Sequence, residues 1–130
     1  MLLFIYFQVD ENSHEKSILN TYNNSFNCNI ECLKSKQKEA IKLLVQDQRD
    51  VVCMLPTGYG KSLIYELLPI AYRNQTKLDA FVLVIEPLFI IIDQQLTKLG
   101  KNTSICLKNK MNDSDHCRVS APVVTCLDKV

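Results

Sequence analysis

Val51-Val52-Cys53-Met54-Leu55-Pro56-Thr57-Gly58-Tyr59-Gly60-Lys61-Ser62 is the stretch that decides the fold. An apolar run leads into Leu-Pro-Thr-Gly-Tyr-Gly-Lys-Ser, and an amphipathic stretch leads out from Ser62, so the segment reads strand, loop, helix. That is the context a phosphate-gripping loop needs. Gly58 and Gly60 lack Cβ atoms, which lets the backbone take unusual dihedrals and close on an anion. Successive N–H groups then form a nest beside the positive end of the following helix. Lys61 would bring a mobile ammonium to the β- and γ-phosphates, and Ser62 would offer its hydroxyl to magnesium. Leu55 stands where the strict Gly-x-x-x-x-Gly-Lys-Ser pattern has its first glycine. The competing reading is an ordinary strand–turn–helix that contains Gly-Lys-Ser by chance.

Upstream, Ala40, Ile41, Leu44 and Val45 share one helical face, while Lys36, Lys38, Glu39 and Lys42 lie elsewhere. Ser35 is the expected N-cap, with Lys38 where a capping box would want an acid. Gln46 to Asp50 ends that pattern. Residues 12–29 are rich in Asn and Ser with little periodicity, so residues 1–27 are expected to be a flexible leader ahead of the domain at 28–130.

Downstream, Ile64, Leu67, Leu68 and Ala71 recur at helical spacing. Pro69 predicts a bend, with the helix fading near Arg73 and a polar connection over 74–79. Phe81-Val82-Leu83-Val84-Ile85 is apolar without alternation, as suits a parallel strand covered on both faces. Leu88 to Leu99 reads as a helix whose early part, Phe89 to Ile92, is apolar all round and expected to be buried. Ser104–Leu107 and Val123–Leu127 read as further strands, with a polar loop over Asn109–Ser120 between them. Strands alternating with helices imply an α/β domain with right-handed crossovers.

Composition sets outer bounds. At 130 residues the chain is one domain or part of one, and 47% apolar content is enough for a core. A formal net charge of +1 argues against a broad polyanion-binding surface. It is compatible with a strand held through local contacts. The six cysteines form no Cys-x-x-Cys pair and point to reduced thiols in an intracellular protein, with Cys53 inside a strand and no zinc site. The apolar Met1–Phe7 has no basic residues before it, and no run approaches the length of a membrane span.

Three blocks, in order, resemble the first RecA-like domain of superfamily 2 helicases, most closely the RecQ-type DNA helicases. They are Leu33 to Ile41 with Gln37, Met54 to Ser62 with its Pro-Thr-Gly start, and Val84-Ile85-Glu86-Pro87-Leu88 followed by Gln94-Gln95. The similarity covers about residues 28–107. The resemblance implies an α/β, RecA-like P-loop NTPase fold: a three-layer sandwich with a parallel sheet, here incomplete. It implies ATP and Mg2+ as cofactors, held by Lys34, Gln37, Thr57, Gly58, Tyr59, Gly60, Lys61 and Ser62. Lys61 would be the catalytic cation and Ser62 the magnesium contact. DNA, single-stranded or at a duplex junction, would meet Pro87, Leu88 and Gln95, with 3′-to-5′ movement and a nuclear or otherwise cytoplasmic location.

A carboxamide at Gln37 carries donor and acceptor together and can pair with the adenine N6/N7 edge. The competing reading makes Gln37 and Lys34 a solvated helix start. Lys34 replaces the family's arginine and keeps charge without a flat face for stacking. Ile30 stands at its aromatic stacking position and Glu86 at its small hydroxyl residue. A carboxylate facing a phosphate at roughly 4 Å costs about 1–4 kcal/mol, so Glu86 either turns away or weakens strand binding.

Hydrolysis in this class needs an acidic pair to hold magnesium and orient water. No Asp-Glu follows Lys61; Val123 to Asp128 ends in an acid, but Lys129 comes next, and Asp128 is not read as that acid. The second RecA-like domain that activity requires is also missing. The expectation is a truncated motor that binds nucleotide and does not hydrolyse it alone. The alternatives are another phosphate-loop protein, such as a small kinase or transport ATPase, or a non-catalytic remnant that acts by association.

Overall fold

Ile18, Leu19, Tyr22 and Phe26 fall at helical spacing within a polar stretch, and that sparse stripe suffices to fold the N-terminal segment. The computed structural model describes residues 11–86, 88–100, 104–107 and 123–127. Helix α1 spans Glu11–Phe26 and buries Ile18, Leu19 and Tyr22. The flexible leader expected through residue 27 is therefore corrected over this span. Asn and Ser dilute the local signal, but burial of three side chains, with Phe26 packed beside them, overrides weak propensity.

Helix α2 spans Ser35–Val45 and buries Ala40, Ile41 and Val45, the face expected from its periodicity. Its N-cap is Lys34 rather than Ser35. Helix α3 spans Lys61–Thr76 and carries Ile64, Leu67 and Ala71 into the same core as α1 and α2. It runs on through Pro69 and past Arg73, ending at Lys77 with φ 62°. Pro69 is itself buried, so its ring contributes apolar contact while its missing donor interrupts the backbone ladder.

Strands β1 (Val82–Glu86), β2 (Ser104–Leu107) and β3 (Val123–Leu127) form a parallel sheet in the order β1-β3-β2, with helix α4 (Phe89–Leu99) between β1 and β2. Val82 and Ser104 both register on Val123. In β1 the period of two is visible: Val82 and Val84 are half-buried, whereas Leu83 and Ile85 are 52% and 61% exposed. In α4, Ile92 is buried but Ile90 is 66% exposed, so the helix is not covered all round as expected.

The largest departure lies before the loop. Val51–Leu55, expected as a strand, is not in the sheet; Val52 and Met54 are about nine-tenths exposed and Cys53 is exposed. Only Val51 and Leu55 pack against the core. A strand exists only when a neighbour takes its backbone groups, and none of the three described strands pairs with this segment. Among the described residues there is no cluster suited to a metal ion, and no described helix is long and apolar enough to cross a membrane. The loop expected over Asn109–Ser120 lies outside the described residues.

The start of α1 makes stability pH-dependent. Burial, with Lys77 nearby, holds His14 below its ordinary value of 6.5. Burial pushes Glu15 upward, but the Leu33 N–H and the Lys38 ammonium outweigh it and hold this carboxyl below 4.5. Both groups bind protons more weakly folded than unfolded, so each contribution is complete above the unfolded value and is lost as pH falls through the folded one. The thermal midpoint followed by circular dichroism should drop in two steps, just below 6.5 and again below 4.5. His14→Gln should abolish the first step and spare the second; an unchanged first step would sink this assignment.

Candidate nucleotide site

The loop is shaped by two glycines. Tyr59 N–H donates to the Pro56 carbonyl at 3.2 Å, closing a turn in which Gly58 has φ 80°. That conformation at the third turn position is one an L side chain resists. Gly60 caps α3 in the left-handed region, with φ 100° and ψ 41°. Lys61 and Ser62 then open the helix, where the first N–H groups have no partner within the helix and the macrodipole is positive. Lys61 is exposed, and its Nζ folds back to donate to the Leu55 carbonyl at 2.8 Å. Ser62 is half-buried and Thr57 exposed.

The head of α2 closes over this loop. With Lys34 as N-cap, Gln37 is the third helical residue, and its Oε1 accepts the Lys34 N–H at 2.9 Å. Its Nε2 donates to the Gly60 carbonyl at 3.0 Å and to the Tyr59 carbonyl at 3.4 Å. Gln37 is only 3% exposed, so it is not a solvated helix start. Lys34 Nζ donates to the Tyr59 carbonyl at 2.9 Å and stands 4.8 Å over the Tyr59 ring, and the Lys36 N–H reaches the Tyr59 hydroxyl at 3.4 Å. The structure therefore brings Lys34, Gln37, Tyr59, Gly60 and Lys61 together. Chemically, the site offers a mobile cation, a helix start and a carboxamide, the donor set that suits a polyphosphate with an attached base.

The residues proposed to meet DNA are not gathered in the same way. Leu88 caps α4 and is 55% exposed. Gln95 is half-buried, and its Oε1 is enclosed without a hydrogen-bond partner among the described residues. Pro87, the Glu86 side chain and Asp128 lie outside what the structure describes. The sequence reading also missed Glu66, a carboxylate buried at 3% exposure one turn after Ser62. A lone acid inside Leu63-Ile64-Tyr65-Glu66-Leu67-Leu68 was the available signal.

Gly60 has a measurable reason to be glycine. A Cβ there would lie 2.5 Å from Gln37 Nε2, whereas one at Gly58 meets nothing within 4 Å. Gly58→Ala should therefore cost about 1–3 kcal/mol from backbone strain alone in chemical denaturation. Gly60→Ala should cost more, and adding Gln37→Ala should recover part of the excess. Equal costs at the two glycines would contradict the contact.

Comparison with known proteins accords with this geometry. The chain is 32% identical over 69 residues to the ATP-dependent DNA helicase RecQ of Bacillus subtilis, which covers 53% of this chain and 11% of that protein. It is 32% identical over 82 residues to the probable ATP-dependent DNA helicase RecS of the same organism, covering 61% of this chain and 15% of the relative. The chain thus spans well under a fifth of the length of these relatives. The DEAD/DEAH box helicase family profile matches residues 34–120, from the Lys34 cap through the Gly58–Gly60 turn to beyond β2. The chain belongs to the DEAD/DEAH box helicase family.

Proposed function

We propose that this chain is the ATP-binding portion of a RecQ-like, ATP-dependent DNA helicase with a RecA-like, three-layer α/β fold. The observation that carries the reading is the meeting of two sequence-distant segments. The Gln37 carboxamide is buried against Gly60 at the point where α3 begins. A base reader and a phosphate loop must be neighbours to hold one nucleotide, and the contact of Gln37 with Gly60 supports that reading.

Thr57, Gly58, Tyr59 and Gly60 would line the phosphate path. Lys61 would exchange the Leu55 carbonyl for phosphate oxygen, an easy motion for an exposed side chain. Ser62, in the first turn of α3, would face magnesium. Lys34 would lie along the base. ATP hydrolysis, strand movement and DNA binding through Pro87, Leu88 and Gln95 would belong to a motor with a second RecA-like domain and an acidic pair. Residues 1–130 alone would hold nucleotide without turning it over. A nuclear or cytoplasmic location follows from the resemblance.

One observation favours a second reading of Gln37. Both ends of its carboxamide are already bonded, to Lys34 N–H and to the loop carbonyls. Reading adenine requires one of those bonds to open; otherwise Gln37 is a clamp that shapes the loop whatever base is bound. Calorimetry separates the two. With magnesium and a non-hydrolysable ATP analogue, the folded chain should bind, and Lys61→Ala should weaken binding at least about tenfold, the loss of one charge-assisted contact. The matching GTP analogue should bind more weakly to the parent, and Gln37→Ala should erase that difference if Gln37 reads the base. If Gln37→Ala weakens both analogues equally, the clamp reading stands. A folded chain that releases no heat with either analogue overturns the proposed function.

A further inference from the structure

Glu66 is the one charged side chain buried among the described residues. It stands on α3 four positions after Ser62, one turn along the same face. Its two partners come from different helices. The Tyr22 hydroxyl of α1 donates to Oε2 at 2.5 Å. Lys98 Nζ of α4 donates to both carboxylate oxygens, at 3.0 and 2.9 Å. Tyr22 is itself 1% exposed, with its ring centroid 4.7 Å from that of Phe26, and burial beside Glu66 pushes its hydroxyl far above the ordinary range, so it stays a donor. Lys98 is half-exposed.

A carboxylate this deep tolerates burial only while its partners stay in place. Removing one partner leaves the remaining contact holding a poorly compensated charge, so the two contacts depend on each other. Helices α1 and α4 otherwise share no extensive contact among the described residues. We propose that Glu66 is a positioning residue that joins the docking of α1 to that of α4 and, through both, fixes the head of α3 where Lys61 and Ser62 stand. The last step rests on the nucleotide reading above; the joining of the two helices does not.

Hydrogen exchange on residues 1–130, followed by mass spectrometry, tests the joining directly. Tyr22→Phe removes only a hydroxyl and Lys98→Met replaces a half-exposed cation, so both variants should keep the fold. Tyr22→Phe should speed exchange in α1 and also in α4, which Tyr22 does not reach. Lys98→Met should do the converse, each by about three- to tenfold. Val45→Ala in α2, used at a matched loss of thermal midpoint, provides the control for general loosening and should raise α2 relative to α4. Acceleration confined to the helix that carries each substitution, or a pattern identical to that of the control, overturns the proposal.

The same two variants should weaken the magnesium-bound, non-hydrolysable ATP analogue about three- to tenfold although neither residue touches the loop. Joined helices with unchanged affinity would overturn transmission to the loop. If the parent chain binds no analogue, the nucleotide reading falls, and the exchange pattern still decides whether Glu66 joins the helices.

Discussion

The contact between Gln37 and Gly60 fixes how the head of α2 meets the head of α3. Gln37 belongs to the first turn of α2 and Gly60 to the cap of α3, and the carboxamide occupies the space a side chain at position 60 would fill. A Cβ at position 60 would displace the Gln37 amide, and only a side chain with both donor and acceptor satisfies Lys34 N–H and the loop carbonyls together. Tyr59, held beneath Lys34, and the Gly60 carbonyl are thereby tied to the head of α2.

A second polar contact works behind it. The apolar core formed by α1, α2 and α3 is non-directional: Leu67, Ala71, Ile18 and Ile41 would accept several arrangements of similar area. Glu66 is directional. Its carboxylate accepts Tyr22 at Oε2 and Lys98 at both oxygens, which selects one arrangement among those the core would permit. The chain thus uses area for cohesion and a few buried polar atoms for geometry.

How much of this could be read beforehand varied with how local the cause was. The face of α2 and the apolar run of β1 were legible because periodicity and continuity are properties of a short window. So was the turn ahead of α3, whose glycines are demanded by dihedrals within a few residues. Helix α1 was illegible because its stripe is sparse, and burial against α3 rather than propensity fixes it. Val51–Leu55 was misread for the opposite reason: its residues favour a strand, but pairing needs a neighbour that the described strands do not supply. Pro69 illustrates tertiary packing prevailing over a local break. Among the candidate site residues, the glycines, Lys61 and Ser62 are marked by the sequence alone, whereas the convergence of Lys34, Lys36 and Gln37 on Tyr59 depends on how two distant helix starts approach.

The strand order carries a consequence for synthesis. β3, at residues 123–127, lies between β1 and β2, which do not pair with each other. A chain emerging from a ribosome can assemble α1, α2 and α3 early, because their contacts lie within residues 11–76. β1 must wait about forty residues for its partner, which at typical translation speeds of roughly 5–20 residues per second is a delay of seconds. During that interval the backbone groups that β3 will take leave β1 with an unpaired edge open to any other nascent chain nearby. A holdase that shields this strand until Val123 has emerged would therefore raise the yield of folded protein more than one acting on the helices.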